Sequence, residues 1–448
     1  MSERLLSVGL DVGTTSTQLV VSELTVENRA SGFAIPEMEI TQRKIRYRSP
    51  VYFTPLLEEK LVDGAEIRRI VEREYQRAGI SREKVDTGAI IITGETSRKE
   101  NAARVVESLS ELAGDFVVAT AGPDLESILA AKGAGAVDHS RKTGKRVLHM
   151  DIGGGTSNLA LIEDGKILQT GCLNVGGRLV KFSASGSITY LSPVLSGMTA
   201  MTLGDTPGEE ERQRLAQKLT MALEMAAGRR EPTELLKKLM TEESVQPWMP
   251  PKEPVVVSFS GGVADCIGGD FPPLQFGDLG PELGRAIRES RLCRDAYVLG
   301  EETIRATVIG AGCHSTQLSG STVYHQNIRF PLKNLPVAEI SDLEEIPGKL
   351  VAQENLAVLS YAGKQSPSYR ELVQMAEQIL SQTKPPILLC LQQDMAKALG
   401  QALAVRLPAD TEILCIDRVR VGEGSFLDIG APVGSALPVV VKTLVLSK

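Results

Sequence analysis

Asp11-Val12-Gly13-Thr14-Thr15-Ser16-Thr17-Gln18-Leu19 and Asp151-Ile152-Gly153-Gly154-Gly155-Thr156-Ser157-Asn158-Leu159 are one phrase written twice, 140 positions apart. Laid on each other without a gap, they share the leading Asp, the β-branched residue after it, the first Gly and the closing Leu. An apolar run, Leu5 to Leu10, leads into the first copy and Leu19-Val20-Val21 leads out of it. The second copy begins in the same way at Arg146. Each copy therefore reads as strand, tight turn, strand. Two copies suggest a duplicated lobe and not a solenoid, which stacks more units.

The turn chemistry points to phosphate. Gly13, Gly153, Gly154 and Gly155 let the backbone approach a ligand closely, and successive N–H groups of such a turn form an anion-binding nest. Thr14, Thr15, Ser16 and Thr156 add hydroxyl donors. Two such turns facing each other can hold a polyphosphate from both sides. Asp11 and Asp151 would then face Mg²⁺, which keeps several waters in an octahedral oxygen shell, so the carboxylates are expected to hold it through water. No G-x-x-x-x-G-K-[ST] loop is present, and a strand instead of a helix follows each turn.

Working outward, strands and helices alternate. Ala65 to Ala78 carries Ile67, Ile70, Val71 and Tyr75 on one helical face. Ala89-Ile90-Ile91-Ile92 reads as a strand buried on both faces. Ser97 with Glu100 reads as a capping box opening a helix, and Glu95 just before it is a further carboxylate. Phe116-Val117-Val118 is a strand. Pro123 opens a helix rich in small residues through Ala136, able to approach its neighbours closely. A long helix is expected from Pro207 to about Ala227. The stretch Val245 to Pro254, with four prolines and the lone Trp248, reads as a linker. Val255 to Phe259 is a buried strand entering Ser260-Gly261-Gly262. Ala306 to Gly312 is a further apolar segment. Past residue 326 a smaller α/β pattern follows: Leu356 to Tyr361, a helix capped by Ser368 and Glu371, then Ile387 to Leu391, Asp394 to Val405 and Ile413 to Ile416. This alternation predicts an α/β protein with lobes at 1–145 and 146–325 and a C-terminal α/β unit at 326–448.

Composition excludes several classes. The chain has 448 residues, 42% hydrophobic and 23% charged, as in ordinary globular proteins. Its net charge of −7 argues against nucleic acid as a main partner. The basic stretch Arg43, Lys44, Arg46 and Arg48 reads as a solvated face. Six scattered cysteines form no C-x-x-C, so zinc ribbons and clusters are not indicated. The four histidines read as structural. No apolar run approaches the roughly 20 residues that span a bilayer, and a soluble, cytoplasmic protein with no membrane partner is expected.

On these residues the sequence resembles the actin-like ATPase superfamily, which also holds sugar kinases and heat-shock chaperones. Its first phosphate loop resembles Gly9 to Thr15, its second Met150 to Thr156, and its adenosine loop Phe259-Ser260-Gly261-Gly262-Val263. Its connecting helices resemble Gly122 to Gly133 and Ile309-Gly310-Ala311-Gly312. The resemblance implies duplicated ribonuclease H-like lobes that bind ATP, ADP and Mg²⁺ between them, with Gly261 and Gly262 at the base. It implies that Glu126, at the start of the first connecting helix, helps place the attacking water, making Glu126, Asp151 and Asp11 the catalytic set.

More narrowly, the whole chain is similar to the family of ethanolamine ammonia-lyase reactivating factors, through Ile92 to Asn101 and the tail Phe426 to Pro432. Asp428 lies in that tail, which reads as a turn. This likeness implies a slow ATPase that acts as a chaperone, releasing damaged cobalamin from the lyase so that intact adenosylcobalamin can bind. Ethanolamine ammonia-lyase is then the expected partner, ethanolamine degradation in a bacterial microcompartment the setting, and a homodimer the expected assembly. A small-molecule kinase of the same superfamily is the alternative, with Glu95 or Glu126 as base. Cobalamin is not expected as a tightly held cofactor, because no D-x-H-x-x-G pattern occurs.

Overall fold

The computed structural model describes residues 2–13, 16–29, 38–58, 61–81, 84–92, 117–120, 123–241, 247–314, 316–319, 322–352, 357–419, 421, 425–434 and 436–443. Thr14, Thr15, Glu95 and the helix expected after Ser97 lie outside these residues.

The first sheet contains β1 (Ser2–Val12), β2 (Ser16–Asn28), β3 (Met38–Arg48), β4 (Thr87–Ile92) and β5 (Val117–Thr120). Its order is β3-β2-β1-β4-β5. The second contains β6 (Val147–Ile152), β7 (Ser157–Glu163), β8 (Lys166–Leu173), β9 (Val256–Ser260) and β10 (Tyr297–Leu299), in the order β8-β7-β6-β9-β10. The two orders are the same, and so are the senses. An antiparallel meander of three strands continues on one side into two parallel strands. The central strands are buried on both faces, which explains why Ala89-Ile90-Ile91-Ile92 in β4 reads as an unbroken apolar run. Helix α1 (Gly64–Ala78) covers the first sheet with Ile67, Ile70, Val71 and Tyr75 buried, starts on an Asp63 cap and stops at left-handed Gly79.

Two helices exchange lobes. Helix α2 (Pro123–Gly133) follows the first sheet in sequence but packs on the second, against β6, β7 and β8. The chain then breaks at Gly135, whose φ of 78° needs a glycine, and restarts as α3 (Ala136–Thr143). The small-residue helix expected to run through Ala136 is therefore two helices. Helix α4 (Glu209–Ala226), α5 (Gly262–Gly268) and α6 (Gly280–Arg288) belong to the second lobe. Helix α7 (Ala306–His314) returns and packs on β1, β2 and β4 of the first.

Helices α2 and α7 cross with almost no side chain between them. A Cβ on Gly133 would meet Gly310 N at 2.7 Å, and one on Gly310 would meet Leu129 Cα at 2.8 Å. A Cβ on Gly9 would meet Gly312 N at 2.7 Å. Ser7 Oγ donates to the Gly312 carbonyl, tying β1 to α7.

The third sheet holds β11 (Thr316–Leu318), β12 (Tyr324–Gln326), β13 (Leu332–Ile340), β14 (Val358–Tyr361), β15 (Ile387–Leu391), β16 (Ile413–Asp417), β17 (Ser425–Ile429) and β18 (Pro438–Thr443), in the order β11-β18-β17-β13-β14-β15-β16-β12. It is covered by α8 (Tyr369–Gln382), with the expected Ser368–Glu371 capping box, and by α9 (Ala396–Ala404). The sheet takes in residues from Thr316, ten before the boundary expected at 326, because β11 pairs with the last strand and β12 with β16. Packing does not change at 145 either, since α2 and α3 already lie on the second sheet.

Two further expectations are corrected. Trp248 is buried, donates its Nε1–H to the Ala226 carbonyl at 3.0 Å and covers Gly171, so residues 247–254 form a packed strap and not a free linker. Asp428 lies inside β17, opposite Val440, and not in a turn. All six cysteines are free thiols.

The glycine crossing yields a paired prediction. Gly310→Ala is expected to lower the unfolding free energy by about 1–3 kcal/mol through overpacking. Gly348→Ala, in an exposed helix with nothing within 4 Å of its added Cβ, is expected to raise it by about 0.5–1 kcal/mol. Urea unfolding of both variants checks the pair; equal signs would contradict the close crossing.

Candidate functional site

Each copy of the repeated phrase closes its turn by the same bond. Gly13 N donates to the Ser16 carbonyl at 2.9 Å, and Gly153 N donates to the Thr156 carbonyl at 2.9 Å. The register is also the same, with Asp11 opposite Gln18 and Asp151 opposite Asn158. The two turns open on one cavity of about 760 Å³. Every described residue of the expected site lines it: Asp11, Gly13, Ser16, Glu126, Asp151, Gly153, Gly154, Gly155, Thr156, Gly261 and Gly262. That volume suits a small-molecule site, roughly 300–1,000 Å³.

Different elements aim each group. Asp11 and Asp151 end the central strands β1 and β6 and are both buried. Glu126 stands in the first turns of α2, which the crossing with α7 fixes over the cleft. Gly261, with φ of 84°, turns the chain from β9 into α5, and a Cβ there would meet Ile152 N at 2.7 Å. Beyond it, Val263, Ala264, Leu299, Phe271 and Phe276 form an apolar wall.

Asp151 is held more firmly than its sequence position suggested. Ser260 Oγ donates to its Oδ1, and Thr307 Oγ1 from α7 lies 3.5 Å from its Oδ2. His149 stands behind, 3.1 Å from Ser258 Oγ and 2.9 Å from Ser260 Oγ. Burial holds this imidazole near a pKa of about 3, hence neutral. Because Ser260 gives its proton to Asp151, His149 Nε2–H donates to Ser260 and Nδ1 accepts from Ser258. The expectation that His149 is structural fits this bracing role.

The second turn has a brace as well. Gly177 N donates to the Gly153 carbonyl at 3.1 Å and Arg178 N to the Gly154 carbonyl at 2.7 Å. Arg178 then reaches Asp278 at 3.1 Å and lies 5.6 Å from the ring centre of Phe53, which comes from the first lobe. Sequence reading missed Arg178, Asp278 and Phe53; nothing local marks them, since they meet only in the fold.

Gln18 and Asn158 were also missed, although the repeat aligns them. Their side-chain oxygens, Gln18 Oε1 and Asn158 Oδ1, are buried acceptors with no partner among the described residues. Each sits across the ladder from one Asp. Among the described residues no three His, Cys, Asp or Glu side chains gather as a direct metal cage. Two carboxylates with two adjacent unfilled amide acceptors instead fit a hydrated divalent cation, whose waters donate to both.

Desolvation by burial raises the Asp151 carboxyl from 3.8 to about 6, against the Ser260 and Thr307 bonds that lower it. Stability carried by the protonated carboxyl is complete below 3.8 and is lost as pH rises through about 6. Asp151→Asn keeps the Ser260 bond and is therefore expected to stabilise the protein with its cleft empty at pH 7.5, by at most about 3 kcal/mol at 1.36 kcal/mol per pKa unit. Near pH 4 the gain should vanish. Urea unfolding at both pH values checks this, and an Asn variant less stable at pH 7.5 contradicts it.

Comparison with known proteins gives a consistent picture. The family model described as "Ethanolamine utilisation protein EutA" matches residues 3–447. The chain is 38% identical to the ethanolamine ammonia-lyase reactivase EutA of Salmonella typhimurium strain LT2, with 99% of each chain covered. It is 37% identical to the protein of the same description from Escherichia coli strain K12, again over 99% of both. Among solved structures, the Aquifex aeolicus PPX-GPPA enzyme is 13% identical and aligns over 69% of this chain and 99% of its own, with a TM-score of 0.43.

Proposed function

Because the chain belongs to the ethanolamine utilisation protein EutA family, we propose that it is an ATP-dependent reactivating factor for ethanolamine ammonia-lyase. It would release damaged cobalamin from that lyase so that intact adenosylcobalamin enters. The observation that carries the ATPase part of this reading is the pair of matched Gly-closed turns opening on one cleft. The full-length likeness to two reactivases carries the choice of partner and favours reactivation over a small-molecule kinase.

In this reading the turn amides around Gly13 and Gly153–Gly155, with the hydroxyls of Ser16 and Thr156, cradle the phosphates of ATP. Thr14 and Thr15 belong to the same loop by sequence. Asp11 and Asp151 would hold a hydrated Mg²⁺, with Gln18, which also lines the cleft, as a further acceptor beside Asp11. Mg²⁺ supplies charge neutralisation on the phosphates. The base lies on the apolar wall beyond Gly261 and Gly262. Glu126 orients the attacking water and accepts its proton. Hydrolysis by such a site is mostly positioning and electrostatics.

The useful output is conformational. Lobes that close on ATP and reopen on ADP change the surface shown to the lyase, and nucleotide can drive release only through different affinity of the two states for it. A homodimer and residence in a microcompartment belong to the same proposal. Among the described residues no helix is long and apolar enough to cross a membrane.

Two variants test the assignment. Inactivated lyase mixed with Mg²⁺, ATP, adenosylcobalamin and the Asp11→Ala variant is expected to stay inactive; full reactivation would sink the cleft assignment. Glu126→Gln is expected to slow phosphate release about 100-fold while nucleotide affinity stays unchanged, as measured by steady-state phosphate assay and titration calorimetry. Release at the wild-type rate would remove Glu126 from the site.

A further inference from the structure

A second cavity, of about 610 Å³, shares no lining residue with the nucleotide cleft. It lies where α2 and α7 end and the third sheet begins. Arg43 enters it from β3, Lys132 from the last turn of α2, Asp138 and Arg141 from α3, His314 from the end of α7 and Gln317 from β11. The basic stretch expected to be a solvated face is thus divided. Arg46 pairs with Glu23 and Arg48 with Glu302, while Arg43, itself exposed, lays its guanidinium along the mouth of this cavity and against the Cys313 carbonyl.

The charges in this cavity are not balanced. Asp138 is already paired with Arg141 at 2.9 Å, and Glu39, at the rim, reaches only towards Arg29 at 4.0 Å. Arg43 gives Nε–H to the Cys313 carbonyl at 2.9 Å and Nη1 to the Ile40 carbonyl at 3.5 Å, both uncharged acceptors. Lys132 has no hydrogen-bond or ion-pair partner among the described residues. A half-buried ammonium without a counter-charge is costly, and here a second cation stands beside it. Desolvation by burial, then repulsion from Arg43 and Lys132, holds His314 near a pKa of about 3, so its ring is neutral. Burial likewise lowers Lys132 and Arg43, with Arg43 adding to the effect on Lys132.

We propose that this cavity binds a small phosphate-class dianion, with Lys132 and Arg43 as its cation pair and the imidazole N–H of His314 as a hydrogen-bond donor. Asp138, shared with Arg141, also acts on Arg43 and offsets part of its charge, but no described carboxylate acts on Lys132; an anion between the two cations answers Lys132 and completes the neutralisation of Arg43, and the second charge of a dianion serves both. Arginine's planar fork suits an oxyanion, and lysine adds a point charge beside it. The cavity size admits inorganic phosphate or a small phosphate monoester.

The test uses the full chain with its nucleotide cleft filled by Mg²⁺ and a non-hydrolysable ATP analogue. Inorganic phosphate is titrated calorimetrically at constant ionic strength, with sodium chloride as the control. One saturable site is expected. Lys132→Gln should weaken it at least about 10-fold, the loss of one charge-assisted hydrogen bond, and should abolish the phosphate-induced rise in melting temperature. Glycerol 2-phosphate in a parallel titration separates monoesters from free phosphate as the preferred source. Arg43→Gln should act likewise; if it fails to fold, because Arg43 also holds Cys313, Lys132→Gln decides alone, since its ammonium holds nothing. Absence of saturable phosphate binding, equal affinity in wild type and Lys132→Gln, or loss of binding only in Asp11→Ala would each overturn the proposal.

Discussion

The crossing of α2 and α7 is the constraint on which the rest of the molecule depends. Each helix is attached in sequence to one lobe and packed on the other, so any change in the angle between lobes must pass through their contact. That contact is backbone against backbone at Gly133, Gly310 and Leu129, and it continues to β1 through Gly9 and Gly312. Side-chain contacts can yield by changing rotamer; backbone contacts cannot. The lobes can therefore pivot about the crossing but cannot slide past it. The same crossing sets Glu126 and Thr307 over the cleft, so hinge and site are built from the same two helices.

The two halves of the repeat share topology and turn closure. Asp151 is braced by Ser260, His149 and Thr307, and its turn is tied down by residues 177 and 178. On the first half, the Gly13 carbonyl accepts from Thr54 Oγ1 at 2.6 Å. The buried His149–Ser260–Asp151 chain costs desolvation, seen in the raised Asp151 carboxyl, and a cation in the cleft would offset that cost. A carboxylate kept uncomfortable until its ligand arrives is a common source of pre-organisation at binding sites.

Where local periodicity decides structure, the sequence could be read directly. The two turns, the apolar runs Ala89–Ile92 of β4 and Ile387–Leu391 of β15, the stripe of α1 and the Ser368–Glu371 cap depend on neighbours within a few residues. Where structure depends on distant partners, it could not. Residues 247–254 look like a linker because prolines dominate, yet Trp248 fills the space over Gly171, a contact no local pattern encodes. Arg43 reads as one more member of an exposed basic run, yet its guanidinium reaches the Cys313 carbonyl at the end of α7 while Arg46 faces Glu23, partners that no local pattern encodes. The site was legible as a list of Asp and Gly positions, because the repeat marks them. Gln18, Asn158 and Arg178 were not, since Gln18 and Asn158 matter through the Asp each faces in the strand ladder and Arg178 through Asp278 and Phe53, which only the fold brings near.

The position of the third sheet follows from the hinge. Its first strand, β11, begins at Thr316, two residues after α7 ends at His314, and Thr316 Oγ1 lies 2.8 Å from Thr87 Oγ1 at the start of β4. Val433 packs with Leu5, Leu24 and Val26 of the first lobe, and Leu318 joins them. The third sheet is thus anchored to the first lobe and to the helix that crosses the hinge. A pivot at the crossing then moves the second lobe against a single body made of the first lobe and the third sheet. The cavity holding Lys132 and Arg43 opens at the joint between those two bodies, with Lys132 and Arg141 on helices of the second and Arg43 and Gln317 on the first. Two like charges facing each other across a pivot push it apart, and an anion between them draws it together. The electrostatics of that joint would therefore act on the same lobe angle that the proposed nucleotide cycle acts on from the opposite side of the crossing.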